Sequence, residues 1–408
     1  MLDPQTVRPH FPSLSLQQDG QPVLFFDNPA GTQVPQQTID GFSHYFQHAN
    51  ANEGGHFLTS QETDRVIAEA RQGMAGLLGA EDPREIVFGQ NMTSLTYHLS
   101  HALGRILQPG DEIVATRLEH DANIAPWLAL QDQGIILRWI DLNPEDVTLD
   151  YDSAAEVITD KTRLLAVGYA SNAFGTVNDV RRLADLAHAV GAWVFVDAVH
   201  YGPHGPLDVH AIGADLLACS PYKFFGPHLG VLWGRIEVLS ALPADHVRPS
   251  GDNPPDSWET GTQSHEALSG LLGTLNYLCS LAPNGGSDRR SRLRQALTAI
   301  RDYERTLSER LIEGMLSVPG LRIFGITDPN RFDERVPTIS FLIDGHQPAD
   351  VARELGRRGI FSWAGNHYAL EPMGRLKLGG TGRIGLVHYN TYQEIDRFVE
   401  AVGEIARG

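Results

Sequence analysis

The stretch that decides the fold runs from Trp193 to Arg235 and reads WVFVDAVHYGPHGPLDVHAIGADLLACSPYKFFGPHLGVLWGR. Trp193 to Val196 is a short β-rich apolar run closed by an acid, Asp197. A second run, Asp215 to Ser220, leads into a polar turn that holds a lone lysine, Lys223. Gly226, Pro227 and Gly230 interrupt the chain before a third run, Gly230 to Trp233. Short apolar runs bounded by turn formers read as buried strands of an α/β sheet. Two such strands are expected to deliver Asp197 and Lys223 from their carboxyl ends into one place. Open α/β sheets bind ligands at that edge.

An acid and a lysine placed this way suit pyridoxal phosphate chemistry. A lysine forms an imine with the cofactor aldehyde, which requires a neutral amine and hence a desolvated or positively flanked site. A carboxylate opposite the ring nitrogen keeps it protonated, so the ring accepts electrons from a substrate carbanion. Singly, the two residues would be a surface lysine and an ordinary strand-closing acid. Jointly they point to the cofactor, because Lys223 stands among Ser220, Tyr222, Phe224 and Phe225 and not among other charges.

VDAVH followed by SPYKFFGPHLGVLWG resembles the class V aminotransferase family, fold-type I pyridoxal phosphate enzymes that include the cysteine desulfurases. The likeness extends over nearly the whole chain. It implies an α/β fold: a large domain with a mainly parallel, seven-stranded-type sheet, and a small C-terminal α+β domain. The expected division is an arm at 1–20 packing on the small domain through Phe11 and Leu14, a cofactor-binding domain at 21–282, and the small domain at 283–408. PNGGSD (Pro283 to Asp288) reads as the hinge-like break.

Length and composition agree with a two-domain globular enzyme. The chain is 42% hydrophobic and 20% charged, with 41 glycines. Its net charge of −18, with no basic block, argues against nucleic acid or anionic membrane as partner. Two cysteines, Cys219 and Cys279, give neither a disulfide framework nor a metal-ligand spacing. MLDPQTVRPHF shows no basic-apolar signal segment and no run approaches membrane-spanning length, so a cytoplasmic location is expected.

Further motifs carry the resemblance along the chain. DNPAGTQVP (Asp27 to Pro35) follows a short strand at Val23 to Phe26; the equivalent family loop lines the substrate site, with Ala30 and Gly31 as its small residues. In NEGGHFLTSQETD, His56 matches a histidine that reaches the cofactor site, in many members from the partner subunit, and Thr63 or Asp64 reads as the cap of a helix ending at Leu78. IVFGQNMTSLTYHL is strand, tight turn and helix, placing Met92 and Thr93 at a helix N-terminus suited to a phosphate. His120, in EHDANIAPW, resembles the ring-stacking residue, a catalytic position that can also relay a proton; Asn172 matches the asparagine that bonds the cofactor 3-hydroxyl. His200 stands where many desulfurases have glutamine, Tyr222 where they usually have histidine on the phosphate, and Ser220 is retained. SWETGTQSHEAL resembles the turn that donates to the neighbouring subunit's phosphate through Gly261 and Thr262, implying a homodimer with shared sites. Arg383, in GRIGLVHYNT, matches the arginine that grips a substrate α-carboxylate. A turn, an exposed loop histidine, a helix cap or an edge arginine would account for these residues one at a time.

The likeness departs at FSWAGNHYALEP (Phe361 to Pro372). Gly365 and His367 are retained, but Tyr368 stands at the position of the desulfurase cysteine nucleophile, and Trp363 replaces a nearby arginine. Cys219 in a strand and Cys279 in an apolar helix read as inert core residues. A persulfide-forming desulfurase is therefore not expected. Elimination of a β-sulfur group from an amino acid, with Lys223 as base and Tyr368 or His367 protonating the leaving group, is the first expectation. Trp363, Asn366, His367 and Tyr368 would line that pocket. Transamination and racemisation are the alternatives, and a non-catalytic cofactor-binding scaffold stands last.

Overall fold

The computed structural model describes residues 2–282, 285–286 and 288–408. Most of the hinge read at Pro283 to Asp288 therefore falls outside or beside the described residues.

Seven strands form the main sheet: β1 (Ile86–Gly89), β2 (Glu112–Thr116), β3 (Ile136–Ile140), β4 (Thr162–Gly168), β5 (Trp193–Asp197), β6 (Leu216–Cys219) and β7 (Gly230–Gly234). Their order is β1-β7-β6-β5-β4-β2-β3. β7 runs antiparallel to both neighbours and every other pair is parallel. β6 and β7 are buried along their whole length, which is why they read as unbroken apolar runs and not as alternations. Between β4 and β5 the helix Val180–Ala189 turns Leu183, Ala184 and Ala187 onto the sheet, with Asp179 capping its start. Each fully buried leucine of this kind contributes roughly 1.5–3 kcal/mol of transfer free energy.

A second sheet follows, with strands β8 (Leu321–Phe324), β9 (Thr338–Ile343), β10 (Trp363–Gly365) and β11 (Thr381–Gly385) in the order β8-β9-β11-β10, antiparallel throughout. The helices Arg289–Leu316, Pro348–Arg357 and Tyr392–Arg407 pack with it around Leu307, Leu311, Phe341, Ile384 and Phe398.

Three expectations are corrected. Leu24 and Phe26 belong to this second core while Val23 and Phe25 belong to that of the main sheet, and Leu24–Phe25 pairs with Ile360–Phe361, so the segment after residue 21 is shared by both layers. The arm does not pack on the small layer alone. Phe11 is wedged edge-on among Phe225, Tyr277, His388 and Tyr389, so it spans both layers. The helix read as capped by Thr63 or Asp64 begins at Leu58. Thr63 lies buried within it and bonds Tyr45, while Asp64 accepts from the Gly54 N–H.

Candidate active site

β5 and β6 pair in parallel with Asp197 opposite Ala218, so both strands end at one level of the sheet edge. Beyond β6 a single tight turn, Pro221–Lys223, swings the lysine back over that edge. Its Nζ donates to the Pro29 carbonyl at 2.5 Å. Burial pushes the Lys223 ammonium down to about 7; Arg383 adds to the fall and Asp197 opposes it. Burial likewise pushes Asp197 up to about 6, against the N–H of Val199 at 2.9 Å and the charge of Lys223. At pH 7 about half of the Lys223 amine is therefore neutral, with the Asp197 carboxylate mainly ionised.

Facing them is the turn into the helix Met92–Gly104. Asn91 closes a capping box with Ser94, its Oδ1 accepting from the Ser94 N–H at 2.8 Å. The N–H groups of Met92 and Thr93 open the first turn, where a helix has no internal acceptor to offer. Gly230 makes this approach possible: a Cβ there would lie 2.4 Å from the Asn91 carbonyl carbon. Asn91, Met92, Thr93, Ser220, Tyr222 and Lys223 line one cleft with an empty volume of about 620 Å³. Tyr222 is stacked on His228, ring centroids 4.9 Å apart.

Three further residues read from the sequence line the same cleft: His120, Asn172 and His200. His120 caps the turn Asp121–Asn123, its Nδ1 accepting from the Ala122 N–H at 3.0 Å, and still presents its ring to the cleft. The cap and the stacking surface are one residue. Burial, then Lys223 and Arg383, bring the imidazole down to about 4, so it is neutral at pH 7. Asn172 donates to the His367 carbonyl at 2.7 Å and accepts from Arg383 at 2.9 Å through its own carbonyl. Its Oδ1 is buried and has no hydrogen-bond partner among the described residues. His200 is buried and its Nε2 lies 2.9 Å from the Thr338 hydroxyl.

Arg383 lies in β11, buried, and its charge reaches Lys223, His120 and Asp27. His367 is buried with Nε2 at 3.1 Å from the Thr381 carbonyl, while Tyr368 is open to solvent over the His120 ring. Ala30 and Gly31 border a neighbouring groove behind Tyr222, where a Cβ on Gly31 would touch the tyrosine ring at 3.4 Å. Gly261 and Thr262 line a separate cleft with Gln90, Ser94 and His228. His56 stands exposed on its loop. These three do not meet Lys223 within the chain.

Glu119 is the cleft residue that sequence reading missed. It is buried and accepts from Thr116 at 2.6 Å, Gly168 at 2.7 Å and Asn123 at 2.8 Å, pinning the turn before His120 to β4. Burial raises its carboxyl to about 7, those donors oppose the rise, and Asp197 adds slightly to it. The signal was an acid directly preceding His120 at the end of a wholly buried strand, where water cannot solvate it.

A pyridoxal phosphate fits this donor set. Free first-turn N–H groups and the Thr93 hydroxyl suit its phosphate, the unpartnered Asn172 Oδ1 suits its ring hydroxyl, Asp197 its ring nitrogen, and the Lys223 amine its aldehyde.

Known proteins agree with this geometry. The family model described as Aminotransferase class-V matches residues 24–398. A probable cysteine desulfurase of Mycolicibacterium paratuberculosis is 35% identical over 424 aligned residues, covering 100% of this chain; the chain spans 59% of that relative's length. A probable cysteine desulfurase of Synechocystis is 32% identical, with 97% of this chain and 94% of the relative covered. The apo structure of a cysteine desulfurase from Thermococcus onnurineus NA1 superposes with a TM-score of 0.89 at 29% identity, over 100% of this chain and 99% of the other. The chain belongs to the class V aminotransferase family, whose members use pyridoxal 5′-phosphate.

Proposed function

We propose that this protein is a pyridoxal phosphate-dependent carbon–sulfur β-lyase, acting on sulfur-bearing L-amino acids without a persulfide-forming cysteine. One observation carries the reading. The buried Lys223 amine, lowered to about 7, lines one cleft with the helix turn at Met92 and Thr93, and the rim loop carries Tyr368 where the family resemblance puts the desulfurase cysteine. Both cysteines are buried, Cys219 in β6 and Cys279 in the helix His265–Ser280, and burial raises both thiols. Neither suits a nucleophile.

When bound, the cofactor supplies an aldehyde for amines and a ring that takes up the electrons left when Cα loses its proton. Asp197 would hold the ring nitrogen, Met92, Thr93, Ser220 and Tyr222 the phosphate, His120 the ring face, and Asn172 with His200 the hydroxyl edge. Arg383 grips the substrate α-carboxylate with its planar fork. Lys223 Nζ takes the Cα proton, for which a neutral amine is required. The Cβ–S bond then breaks with both electrons on sulfur, and the leaving thiolate takes a proton from the Tyr368 hydroxyl. His367 does not suit that task, because its Nε2–H is committed to the Thr381 carbonyl and its ring is held neutral, at about 3, by burial and Arg383. With one water consumed, the products are a free thiol, pyruvate and ammonium.

Purified protein loaded with the cofactor, and a panel of L-amino acids including cysteine and cystine, test the reading. Release of pyruvate, ammonia and sulfide in equal measure from cysteine, and of pyruvate, ammonia and thiocysteine from cystine, supports it, with loss of the lysine-linked visible band and of product in Lys223→Ala. Tyr368→Phe is expected to slow elimination by roughly 10²–10⁴-fold, the usual contribution of a positioned acid. Conversion of the cofactor to its amine form without pyruvate from cysteine would make the enzyme an aminotransferase. Exchange of the Cα proton with inversion would make it a racemase.

A further inference from the structure

The rim loop is held in a backbone conformation that needs explanation. His367 and Tyr368 both have φ of +56°. L side chains adopt that region only where the surroundings enforce it, and such outliers gather at functional sites. Here the enforcement is explicit. The His367 carbonyl accepts from Asn172 at 2.7 Å, the Tyr368 carbonyl from the Asp121 N–H at 2.7 Å, and the Tyr368 N–H donates to Asn366 Oδ1 at 3.0 Å. The outcome is a phenol ring 70% exposed, lying nearly parallel to the His120 ring at 5.5 Å and 16°.

A second aromatic side chain lies earlier in the same rim segment. Trp363 in β10 is paired directly with Arg383 in β11. Directly opposed residues of an antiparallel pair project from the same face, so the indole shares the face of the guanidinium. Trp363 is 52% exposed. The next residues, Ala364 and Gly365, are small, and a Cβ on Gly365 would meet nothing within 4 Å. Two open rings and empty space therefore flank Arg383, and β10 itself carries no cation.

We propose that Trp363 and Tyr368 form an aromatic subsite for the outer part of the substrate side chain. The amino acids taken here carry an aromatic or extended apolar group beyond Cβ; in the elimination reading these are S-aryl or S-benzyl cysteines. The inference rests on the reading of the site as an amino-acid-binding cofactor site. In that reading the carboxylate lies at Arg383, on the strand face it shares with Trp363, so a side chain longer than a bare thiol is the one expected to reach the rim rings. The π faces of Trp363 and Tyr368 then replace water around that group.

Dissociation constants of S-methyl-L-cysteine and S-benzyl-L-cysteine, read from the spectrum of the bound cofactor in the holoenzyme, test this. S-benzyl-L-cysteine is expected to bind about tenfold tighter or better, a typical gain for a well-packed ring. Trp363→Ala and Tyr368→Leu are expected to bring that ratio towards one, and Trp363→Phe to restore much of it. Tyr368→Phe keeps the ring and is expected to keep the ratio, which separates the subsite from the hydroxyl's part in proton transfer. Equal affinities in the parent protein, or a ratio indifferent to both ring removals, would overturn the subsite alone. A spectrum indifferent to both amino acids would overturn the amino-acid reading and the subsite with it. A changed sedimentation coefficient in Trp363→Ala would assign the rings to a subunit contact and likewise overturn the subsite.

Discussion

Lys223 shows how much one side chain owes to its surroundings. An ordinary lysine stays charged until about pH 10.4. Burial disfavours the ammonium, and the Arg383 charge works in the same direction, so the amine loses its proton near pH 7. The chain has only two other lysines, Lys161 and Lys377, both exposed, which serve as internal references. In cofactor-free protein at pH 8, limiting acetic anhydride is expected to label Lys223 in preference. The labelling rate should rise with pH and reach half its maximum near pH 7, and prior addition of pyridoxal phosphate should block it. Peptide mass spectrometry reads the result; no pH-dependent step near 7 would contradict a lowered pKa. Lys223 and Asp197 were legible in the sequence because each closes or follows an apolar run that must be a buried strand. Glu119 was passed over although it directly precedes His120 just after a buried strand, because the donor that ties it to β4, Gly168, lies 49 positions away and no local pattern announces it.

At the scale of elements, the sequence speaks clearly where hydrophobic runs and turn formers coincide. Trp193–Asp197 and Gly230–Gly234 lie where pattern reading puts them. It fails where a polar side chain has two uses. In LTSQETD, Thr63 has the chemistry of a cap, yet it is spent inside the helix on Tyr45 and the Ala49 and Ala51 carbonyls. Phe57 stands at the N-cap without a side-chain bond. The phosphate turn depends on a contact of the opposite kind, one defined by a missing atom. A methyl group on Gly230 would meet the Asn91 backbone at 2.4 Å and 2.6 Å, and backbone cannot rotate aside. Gly230→Ala is expected to displace the Met92 and Thr93 N–H groups and weaken pyridoxal phosphate binding by roughly tenfold or more. Overpacking of this kind costs about 1–3 kcal/mol, visible in thermal unfolding of the cofactor-free protein. Gly356→Ala, where a Cβ meets nothing, is the matching control. Unchanged cofactor affinity in Gly230→Ala would remove the turn from the site.

At the scale of the whole molecule, the two sheets were legible from the order of strands and helices, but their seam was not. The seam is made by residues more than a hundred positions apart: His200 at 2.9 Å from the Thr338 hydroxyl, Ser340 donating to the Ala173 carbonyl at 2.8 Å, and Phe11 among aromatic rings from three segments. Periodicity carries no information about such pairings. The same limit governs Gly261, Thr262 and His56, which were read as site residues yet lie away from Lys223 in their own chain. A second copy resolves the discrepancy, if the cleft holding Gly261 and Thr262 is laid against the phosphate turn of its partner. Each copy carries a net charge of −18, so long-range repulsion opposes pairing, but salt screens it within about 8 Å at physiological strength. Exposed Ile39 and Phe46 on the helix Gln36–His48 offer apolar surface for such a contact. Sedimentation is then expected to show a dimer, and dilution through its dissociation range should release the cofactor. A hydrogen bond to a charged group is worth about 1.5–3 kcal/mol, so Thr262→Ala should weaken cofactor binding by roughly 10–100-fold without changing the dimer. A monomer that binds the cofactor equally well at every concentration would mean that each chain completes its own phosphate site, leaving Gly261 and Thr262 without a part in it.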